Sequence, residues 1–158
     1  MIIRKIQKED NLAISKVIRT VLIEYNVPKV GTAYADPQLD CMFETYNLPK
    51  SIYFVVENEG EIIGGAGVSQ LKNGDASICE LQKMYFLSEA RGLGIGSKMM
   101  EHCLKSAKDI GYKKCYLETM PDMIAAQKLY KNFGFEYLCE PLGNTGHTSC
   151  PVWMIKEL

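Results

Sequence analysis

The chain has 158 residues, with 18 Lys and Arg against 19 Asp and Glu, and its formal net charge at pH 7 is -1. This length favours one domain, residues 1–158, with a hydrophobic core of ordinary size. The near-neutral charge argues against a nucleic-acid partner, because nucleic-acid binding needs a basic surface that neutralises phosphates. No apolar run approaches the ~20 residues that a spanning helix needs, so we expect no membrane partner.

The six cysteines indicate the cellular compartment. They are widely scattered, never form a Cys-x-x-Cys pair and mostly lie in apolar segments. This usage is typical of reduced, buried thiols in the cytoplasm. The N-terminal residues also lack the layout of a signal peptide. No spacing of His and Cys resembles a zinc site, so we expect no metal.

The first half of the chain predicts a strand, two helices and three further strands in series. Apolar residues recur at helical spacing from Ile14 to Tyr25, with charged residues on the opposite face. Asp36 is a candidate N-cap for a short second helix, with Pro37 at its first position. The Asn-Gly pair at 73–74 predicts a hairpin turn. The short helix is expected at 37–46, and the strands are expected at 2–6, 51–57, 61–71 and 77–86.

The second half of the chain predicts two more helices that alternate with three strands. The expected helices span 92–109 and 122–132, and the expected strands span 113–119, 135–139 and 152–155. Gly111 is expected to end the first of these helices. Because no linker, repeat or low-complexity tract interrupts the pattern, the sequence predicts one α/β unit. Its mixed sheet would have seven strands, with about four helices on both faces.

A glycine-rich run, RGLGIGS at residues 91–97, lies between an expected strand and an expected helix. Its alternating glycines leave N–H groups exposed at a helix N-terminus, where the macrodipole is positive, which predicts a phosphate-binding turn. Arg91 favours this interpretation, because a permanent cation suits a pyrophosphate better than it suits packing. The alternative is a flexible loop that lets the strand and the helix pack closely. The run matches neither the Rossmann nor the Walker A pattern.

The fourth expected strand changes phase in its middle. Cys79 and Leu81 alternate, but the apolar series resumes at Met84 and Phe86, three residues on rather than two. This shift predicts a β-bulge near residues 82–83. A bulge frees main-chain groups, with which an extended, amide-containing ligand could pair. The alternative is a short strand whose period has been misassigned.

Two segments resemble one protein family. Residues 81–96, LQKMYFLSEARGLGIG, resemble motif A of the GNAT superfamily of N-acetyltransferases, whose signature is Gln/Arg-x-x-Gly-x-Gly/Ala. Residues 126–135, AQKLYKNFGF, are similar to its motif B, Ala-x-x-Leu-Tyr-x-x-x-Gly-Phe. The expected order of strands and helices also agrees over nearly the whole chain. The sequence departs from the pattern at Met123, where many relatives place Asn.

The resemblance implies a mostly antiparallel, GNAT-like sheet and acetyl-CoA as the acyl-donor cosubstrate. The donor would bind in a V-shaped opening between the bulged fourth strand and the fifth. Its pyrophosphate would lie on the amides of residues 92–97, and its pantetheine arm along residues 84–86. The implied donor-binding residues are Met84, Tyr85, Phe86, Arg91, Gly92, Leu93, Gly94, Ile95, Gly96, Ser97 and Ala126.

Acetyl transfer to an amine needs a base, a group that stabilises the oxyanion, and a proton donor for the thiolate. Glu80 is the candidate base, by its position beside the expected bulge and by its similarity to relatives with a Glu in the fourth strand. It could instead be a solvated strand carboxylate. The main-chain N–H of Met84 is the candidate oxyanion stabiliser. Tyr130 is the candidate general acid, although its helical spacing from Ala126 and Phe133 also fits a core tyrosine.

Four further residues are candidates for binding the acceptor. His147 could orient the acceptor or act as a base, whereas the alternative is a solvated loop histidine. If the resemblance holds, Tyr34, Asp36 and Asp40 would form part of the acceptor wall. Their acidity hints at a cationic amine.

These observations predict an N-acetyltransferase that passes the acetyl group directly to a primary amine within a ternary complex. One alternative is a non-catalytic acyl-CoA sensor, which would keep the glycine turn but would not need Glu80 or Tyr130. Another alternative is a generic nucleotide-phosphate binder. The loops at 26–50 and 140–151 would select the acceptor, whose identity the sequence leaves open. The sequence is compatible with both a monomer and a homodimer.

Overall fold

Seven strands form one sheet in the computed structural model, which describes all 158 residues. The strands are β1 (Ile2–Lys5), β2 (Ile52–Asn58), β3 (Glu61–Gln70), β4 (Ile78–Phe86), β5 (Lys114–Thr119), β6 (Glu136–Leu138) and β7 (Val152–Glu157). Their order in the sheet is β1-β2-β3-β4-β5-β7-β6. Only β4 and β5 pair in parallel, and all other neighbours are antiparallel. The predicted fold class is confirmed.

Helices cover both faces of this sheet. The four α-helices are α1 (Asn11–Glu24), α2 (Met42–Tyr46), α3 (Ile95–Ile110) and α4 (Ile124–Asn132). The core beneath α1 and α2 includes Ile14, Ile18, Leu22, Met42, Tyr53 and Val55. The core beneath α3 and α4 includes Phe54, Val56, Leu81, Met99, Leu117 and Tyr130. Consecutive residues of β2 therefore point into different cores, as the alternation of a strand requires.

Left-handed glycines set both ends of α3. The helix begins at Ile95, later than predicted, because Gly92 and Gly94 each have a φ of +75°, which a right-handed helix does not allow. At the other end, Gly111 has a φ of +105° and ends the helix as predicted.

The short second helix differs from its prediction. A 3-10 turn occupies Pro37–Cys41, and the α-helical part is confined to α2. Asp36 occupies the predicted N-cap position, but its side chain makes no capping hydrogen bond. Its carboxylate lies instead beside Lys83 and His147. The capping interpretation of Asp36 is therefore wrong for its side chain.

The bulge in β4 is confirmed by the pairing with β3. Gly65 pairs with Tyr85 and Gly67 pairs with Gln82, so one residue of β3 lies opposite two residues of β4. Lys83, one of these two, has a left-handed backbone with a φ of +50°. An extra residue in one strand bends it and leaves main-chain groups unpaired.

The sheet opens beside this bulge. Pairing between β4 and β5 is confined to Ile78–Glu80 with Lys114–Tyr116, although both strands continue further. Beyond that point the two strands are no longer joined by ladder hydrogen bonds. This gap is called the strand opening below.

The cysteines follow their prediction only in part. All six are free, and Cys79, Cys103 and Cys115 are buried. Cys41 and Cys139 are exposed. No helix of the structure combines the length and the apolar character needed to cross a membrane.

Candidate active site

An apolar cleft lies between the second half of β4, the start of α3 and α4. Its volume is about 370 Å³, and 13 of its 17 lining residues are hydrophobic. Eight of the predicted donor-binding residues line this cleft: Met84, Tyr85, Phe86, Arg91, Gly92, Ile95, Gly96 and Ala126. The structure thus brings most of the predicted set together. Leu93, Gly94 and Ser97 are outside the lining, and the side chain of Leu93 is exposed.

The glycine turn presents bare backbone at one end of this cleft. Gly94 is the N-cap of α3 and supplies no side chain that could satisfy the first N–H groups of the helix. A Cβ at Gly92 or Gly94 would meet nothing within 4 Å, so the positive φ, and not crowding, requires glycine at both positions. Gly96 differs, because its Cβ would lie 3.3 Å from the Leu129 side chain of α4. The turn therefore has the open backbone that the predicted anion cradle needs, and it also lets α3 and α4 approach closely.

Arg91 is held at the wall of the cleft by an ion pair that the sequence did not indicate. Its guanidinium donates to both carboxylate oxygens of Glu24 at 2.5 and 2.7 Å. Its Nε donates to the carbonyl of Phe86 at 2.9 Å, and the group lies 5.2 Å from the centre of the Tyr25 ring. Arg91 thus links α1 to the end of β4.

A polar cavity of about 620 Å³ lies on the other side of the bulge. Only 2 of its 16 lining residues are hydrophobic. The charged residues of the lining are Asp36, Lys72, Glu80, Lys83 and His147. The main uncharged polar residues are Gln38, Ser69, Gln70, Asn73, Gln82 and Thr145.

Glu80 is a buried carboxylate in this cavity. Its residue is 3% exposed, and the side-chain amide of Gln82 donates to its Oε2 at 2.6 Å. The hydroxyl of Tyr46 donates in turn to Gln82 Oε1 at 2.7 Å, which fixes the orientation of the amide. Burial raises the pKa of Glu80, and the negative charge of Glu118 raises it further. A carboxylate with a raised pKa is a stronger base for an ammonium proton.

Glu118 is a site residue that the sequence analysis missed. It lies on β5 and accepts hydrogen bonds from Tyr116 and Thr145, both at 2.8 Å. One ligand atom each from Glu80, Glu118 and His147 lies within 4.8 Å of the others. Glu80 pairs with Tyr116 across the sheet, so Glu118, two residues later, shares its face. The alternation of polar residues in Tyr116-Leu117-Glu118 was the available signal.

Asp36 joins two cations at the edge of the cavity. Its Oδ2 lies 3.1 Å from Lys83 Nζ and 3.1 Å from His147 Nε2. The hydrogen bond with Asp36 raises the pKa of His147. Burial opposes ionisation of Asp36, but the hydrogen bond from His147 and the charge of Lys83 outweigh it and keep the pKa of Asp36 below its ordinary value. The structure therefore brings Asp36 and His147 together, as an acceptor wall would need.

The other two predicted acceptor residues lie apart from this cavity. Asp40 pairs with Arg19 at 2.8 Å, and its side chain is 70% exposed. Tyr34 packs against the core beneath α1 and α2, and Lys29 lies 5.2 Å from the centre of its ring. Neither residue lines the polar cavity.

Tyr130 connects the two halves of the site. It lines the apolar cleft and also the small space within the strand opening, of about 40 Å³, which Leu81, Met84 and Glu118 share. Its ring packs 6.0 Å from that of Phe135, so the residue belongs to the core as well. Burial raises the pKa of Tyr130 above that of a free phenol, which keeps the hydroxyl protonated.

Met123 stands on the same wall and lines both the cleft and the strand opening. Its sulfur accepts a hydrogen bond from the Thr119 hydroxyl at 3.7 Å. A thioether offers no N–H donor, so this position cannot make the hydrogen bonds of an amide.

A bulged strand that separates from its parallel neighbour, beside a glycine turn that begins a helix, defines an acetyltransferase fold. The chain matches the Acetyltransferase (GNAT) family over residues 19–135. The uncharacterized N-acetyltransferase YjgM of Escherichia coli (strain K12) is 43% identical over 158 residues, covering 99% of this chain and 95% of that protein. The chain therefore belongs to the GNAT family of acetyltransferases.

Solved structures agree with this fold. A GNAT acetyltransferase from Staphylococcus aureus Mu50 superposes with a TM-score of 0.87 at 22% identity, covering 99% of this chain and 98% of that one. The YncA structure from Salmonella typhimurium, solved with acetyl-CoA, superposes with a TM-score of 0.79 at 19% identity, covering 100% of this chain and 94% of that one. Both superpositions extend over essentially the whole chain.

Proposed function

We propose that this acetyltransferase passes an acetyl group from acetyl-CoA directly to a primary amine while both substrates are bound. The observation that carries this proposal is the position of the bulge, with an apolar cleft on one side and a polar cavity on the other. Tyr130 lies between them in the strand opening. Two substrates that enter from opposite sides would meet at that point, so no covalent enzyme intermediate is needed.

The donor is proposed to lie in the apolar cleft. Its pyrophosphate suits the open N–H groups of the glycine turn, and its amide-containing arm suits the edge of Met84 to Phe86 that has no partner strand on the β5 side. YncA and a phosphinothricin acetyltransferase from Sinorhizobium meliloti, two proteins with similar folds, were solved with acetyl-CoA. These structures support the choice of donor.

Glu80 is proposed to take the proton of the incoming ammonium. The free amine then attacks the acetyl carbon, a C–N bond forms, and the C–S bond of the thioester breaks. Because burial raises the pKa of Glu80, proton transfer to it is less uphill than to an exposed glutamate. Glu80 lines the polar cavity, so it can pass that proton on to the solvent there.

The main-chain N–H of Met84 is proposed to stabilise the negative charge that develops on the acetyl oxygen. A donor that is fixed before reaction stabilises the transition state without further reorganisation. Tyr130 is proposed to donate a hydrogen bond to the departing thiolate. Its raised pKa makes full proton transfer uphill, so the hydrogen bond supplies most of its effect.

The test is release of CoA thiol from acetyl-CoA with a panel of primary amines. Tyr130→Phe should lower turnover about 10²-fold or more, in line with the loss of a general acid. Tyr137→Phe removes a hydroxyl on the exposed edge strand and should leave turnover unchanged. CoA binding without turnover on any amine would favour a sensor, and competition by ATP as effective as that by CoA would favour a nucleotide binder.

The proposed reaction needs no metal, so EDTA should leave thiol release unchanged. The six free cysteines suit a reducing compartment, which supports a cytoplasmic location as part of the proposal.

A further inference from the structure

We infer that the acceptor is an amine that carries no carboxylate beside its reactive nitrogen, and that Glu80 and Glu118 hold its ammonium group between them. This inference rests on the proposed function and specifies its substrate class. It follows from how the charges of the polar cavity are paired, from the gap between the two carboxylates, and from the polarity of the remaining lining.

The cations of the cavity are already engaged. Lys83, whose side chain is 2% exposed, and His147 both lie 3.1 Å from one oxygen of Asp36. Lys83 Nζ also donates to Gln38 at 3.5 Å. The remaining cation, Lys72, is exposed to solvent. No buried cation of the cavity is therefore left for a carboxylate of the acceptor.

The two glutamates, by contrast, have only neutral hydrogen-bond donors. Glu80 accepts from the Gln82 amide, and Glu118 accepts from the hydroxyls of Tyr116 and Thr145. The positive charges that act on Glu80 are those of His147 and Lys83, and both are paired with Asp36. The charge beside the strand opening that lacks an ion-pair partner is therefore negative.

The gap between the two carboxylates is small enough for one ammonium group to bridge. Their nearest oxygens are no more than 4.8 Å apart. A nitrogen at ~2.8 Å from each oxygen, the usual length of a charge-assisted hydrogen bond, can span a gap of up to that width. This position lies beside the strand opening, which Glu118 and Tyr130 both line. The bound nitrogen is therefore next to the place where transfer occurs.

Binding a cation there also relieves an unfavourable interaction. Glu80 is buried, and the charge of Glu118 disfavours its ionisation. A positive charge between them favours the ionised form of Glu80. The same carboxylate that binds the ammonium can then accept its proton.

A carboxylate on the neighbouring carbon of the acceptor would face this pair at short range. It would add a third negative charge near Glu80 and Glu118, while Asp36 keeps Lys83 and His147 occupied. Repulsion between like charges in a partly buried site costs affinity. The uncharged polar lining suits an amine with hydroxyl or further hydrogen-bonding groups along its chain.

The test compares acceptors that differ only in the α-carboxylate, at saturating acetyl-CoA. Agmatine is compared with arginine, tyramine with tyrosine, and ethanolamine with serine. We expect kcat/KM for thiol release to be at least tenfold higher for the amine without the carboxylate. Arginine methyl ester, which keeps the size but loses the charge, should behave like agmatine.

A preference for the amino acids would overturn this inference and leave the proposed function standing. Absence of thiol release with every amine would overturn both. If kcat/KM for the ester is like that for arginine rather than agmatine, the size of the acceptor and not its charge determines the preference, and the inference fails.

The variant Glu118→Gln supplies a second test. It should raise KM for agmatine at least tenfold and leave KM for acetyl-CoA unchanged. It should also bring the kcat/KM values for agmatine and arginine closer together. Glu136→Gln, on the exposed edge strand β6, is the matched control and should change none of these values. A Glu118→Gln protein with an unaltered melting temperature and an unaltered ratio of kcat/KM between agmatine and arginine would contradict the proposed role.

Discussion

The hydroxyl of Tyr53 donates a hydrogen bond at 2.8 Å to the main-chain carbonyl of Lys83, at the centre of the bulge. This carbonyl and the N–H of Met84 belong to one planar peptide unit and point in opposite directions. By holding the carbonyl, Tyr53 therefore fixes the direction of the N–H that is proposed to stabilise the acetyl oxygen. The tyrosine is 1% exposed and acts from the interior of the sheet.

Tyr53→Phe should lower kcat about tenfold and leave KM for acetyl-CoA nearly unchanged. The ring still packs, but the peptide unit loses the donor that orients it. This decrease in kcat is smaller than the ~10²–10³-fold decrease that follows when an oxyanion donor is removed outright. Steady-state kinetics measure the split between kcat and KM. An unchanged kcat would show that the bulge keeps its geometry without Tyr53.

Gly67→Ala should destabilise the protein by about 2–3 kcal/mol, as overpacking of a core does. Its Cβ would lie 2.5 Å from the Tyr53 ring and 2.5 Å from the Ile52 carbonyl, and the carbonyl cannot move freely. Chemical denaturation measures the loss. Gly60→Ala is the control, because its Cβ meets nothing within 4 Å and only its φ of +87° is strained, so a loss of about 1 kcal/mol is expected.

Local sequence patterns were enough to predict the bulge and the glycine turn. The bulge shows as a change of phase between Leu81 and Met84, and the turn shows as glycines at alternate positions. Both signals lie within a few residues, where backbone sterics decide the structure. Glu80 and Tyr130 could be named for the same reason, since they lie beside or within these motifs.

The partners of these residues could not be predicted, because they are distant in sequence. Glu24 lies 67 residues from Arg91, and Asp36 lies 111 residues from His147. The alternation around Glu118 indicates which face of β5 carries it, but only the parallel register of β4 and β5 brings it beside Glu80. The local pattern at Asp36 is typical of a helix cap, but its carboxylate forms an ion pair with a buried lysine that is distant in sequence.

The Arg91–Glu24 pair predicts opposite effects of two substitutions on donor binding. Arg91→Gln should raise KM for acetyl-CoA about tenfold, because a cation beside the glycine turn is lost. Glu24→Gln should lower that KM, since it frees the guanidinium to face the pyrophosphate. Lys105→Gln, which breaks an exposed pair with Asp109 elsewhere on α3, is the control and should have no effect. If KM for acetyl-CoA rises equally in both variants, Arg91 only holds the wall of the cleft and does not bind the pyrophosphate.

The ion pair between Asp36 and His147 joins the two loops that flank the polar cavity. Ser149 strengthens the junction, with its N–H bonded to the Gly31 carbonyl at 3.0 Å. The charged groups that face His147 are Asp36, Glu80, Glu118 and Lys83. Of these, Asp36 has the largest effect and raises the pKa of His147 above its ordinary value of 6.5.

A histidine with a raised pKa stabilises the folded state while it is protonated in that state. Its contribution is complete below pH 6.5 and is lost as the pH rises through the raised folded value. Asp36 has a lowered pKa, so its own contribution is present above pH 3.8 and is lost as the pH falls through the lowered value. The pair therefore stabilises the protein most in mildly acidic solution.

His147→Gln should consequently lower the melting temperature at pH 5.5 more than at pH 9. A charge-assisted hydrogen bond of about 1–2 kcal/mol corresponds to a few degrees for a chain of this length. The melting temperatures of variant and parent are compared at each pH, so that effects of pH shared by both proteins cancel. His102→Gln changes the other histidine, which is exposed on α3 and forms no ion pair, and should show no such difference. An equal or larger decrease at pH 9 would mean that His147 joins the loops as a neutral donor, without the charge that Asp36 stabilises.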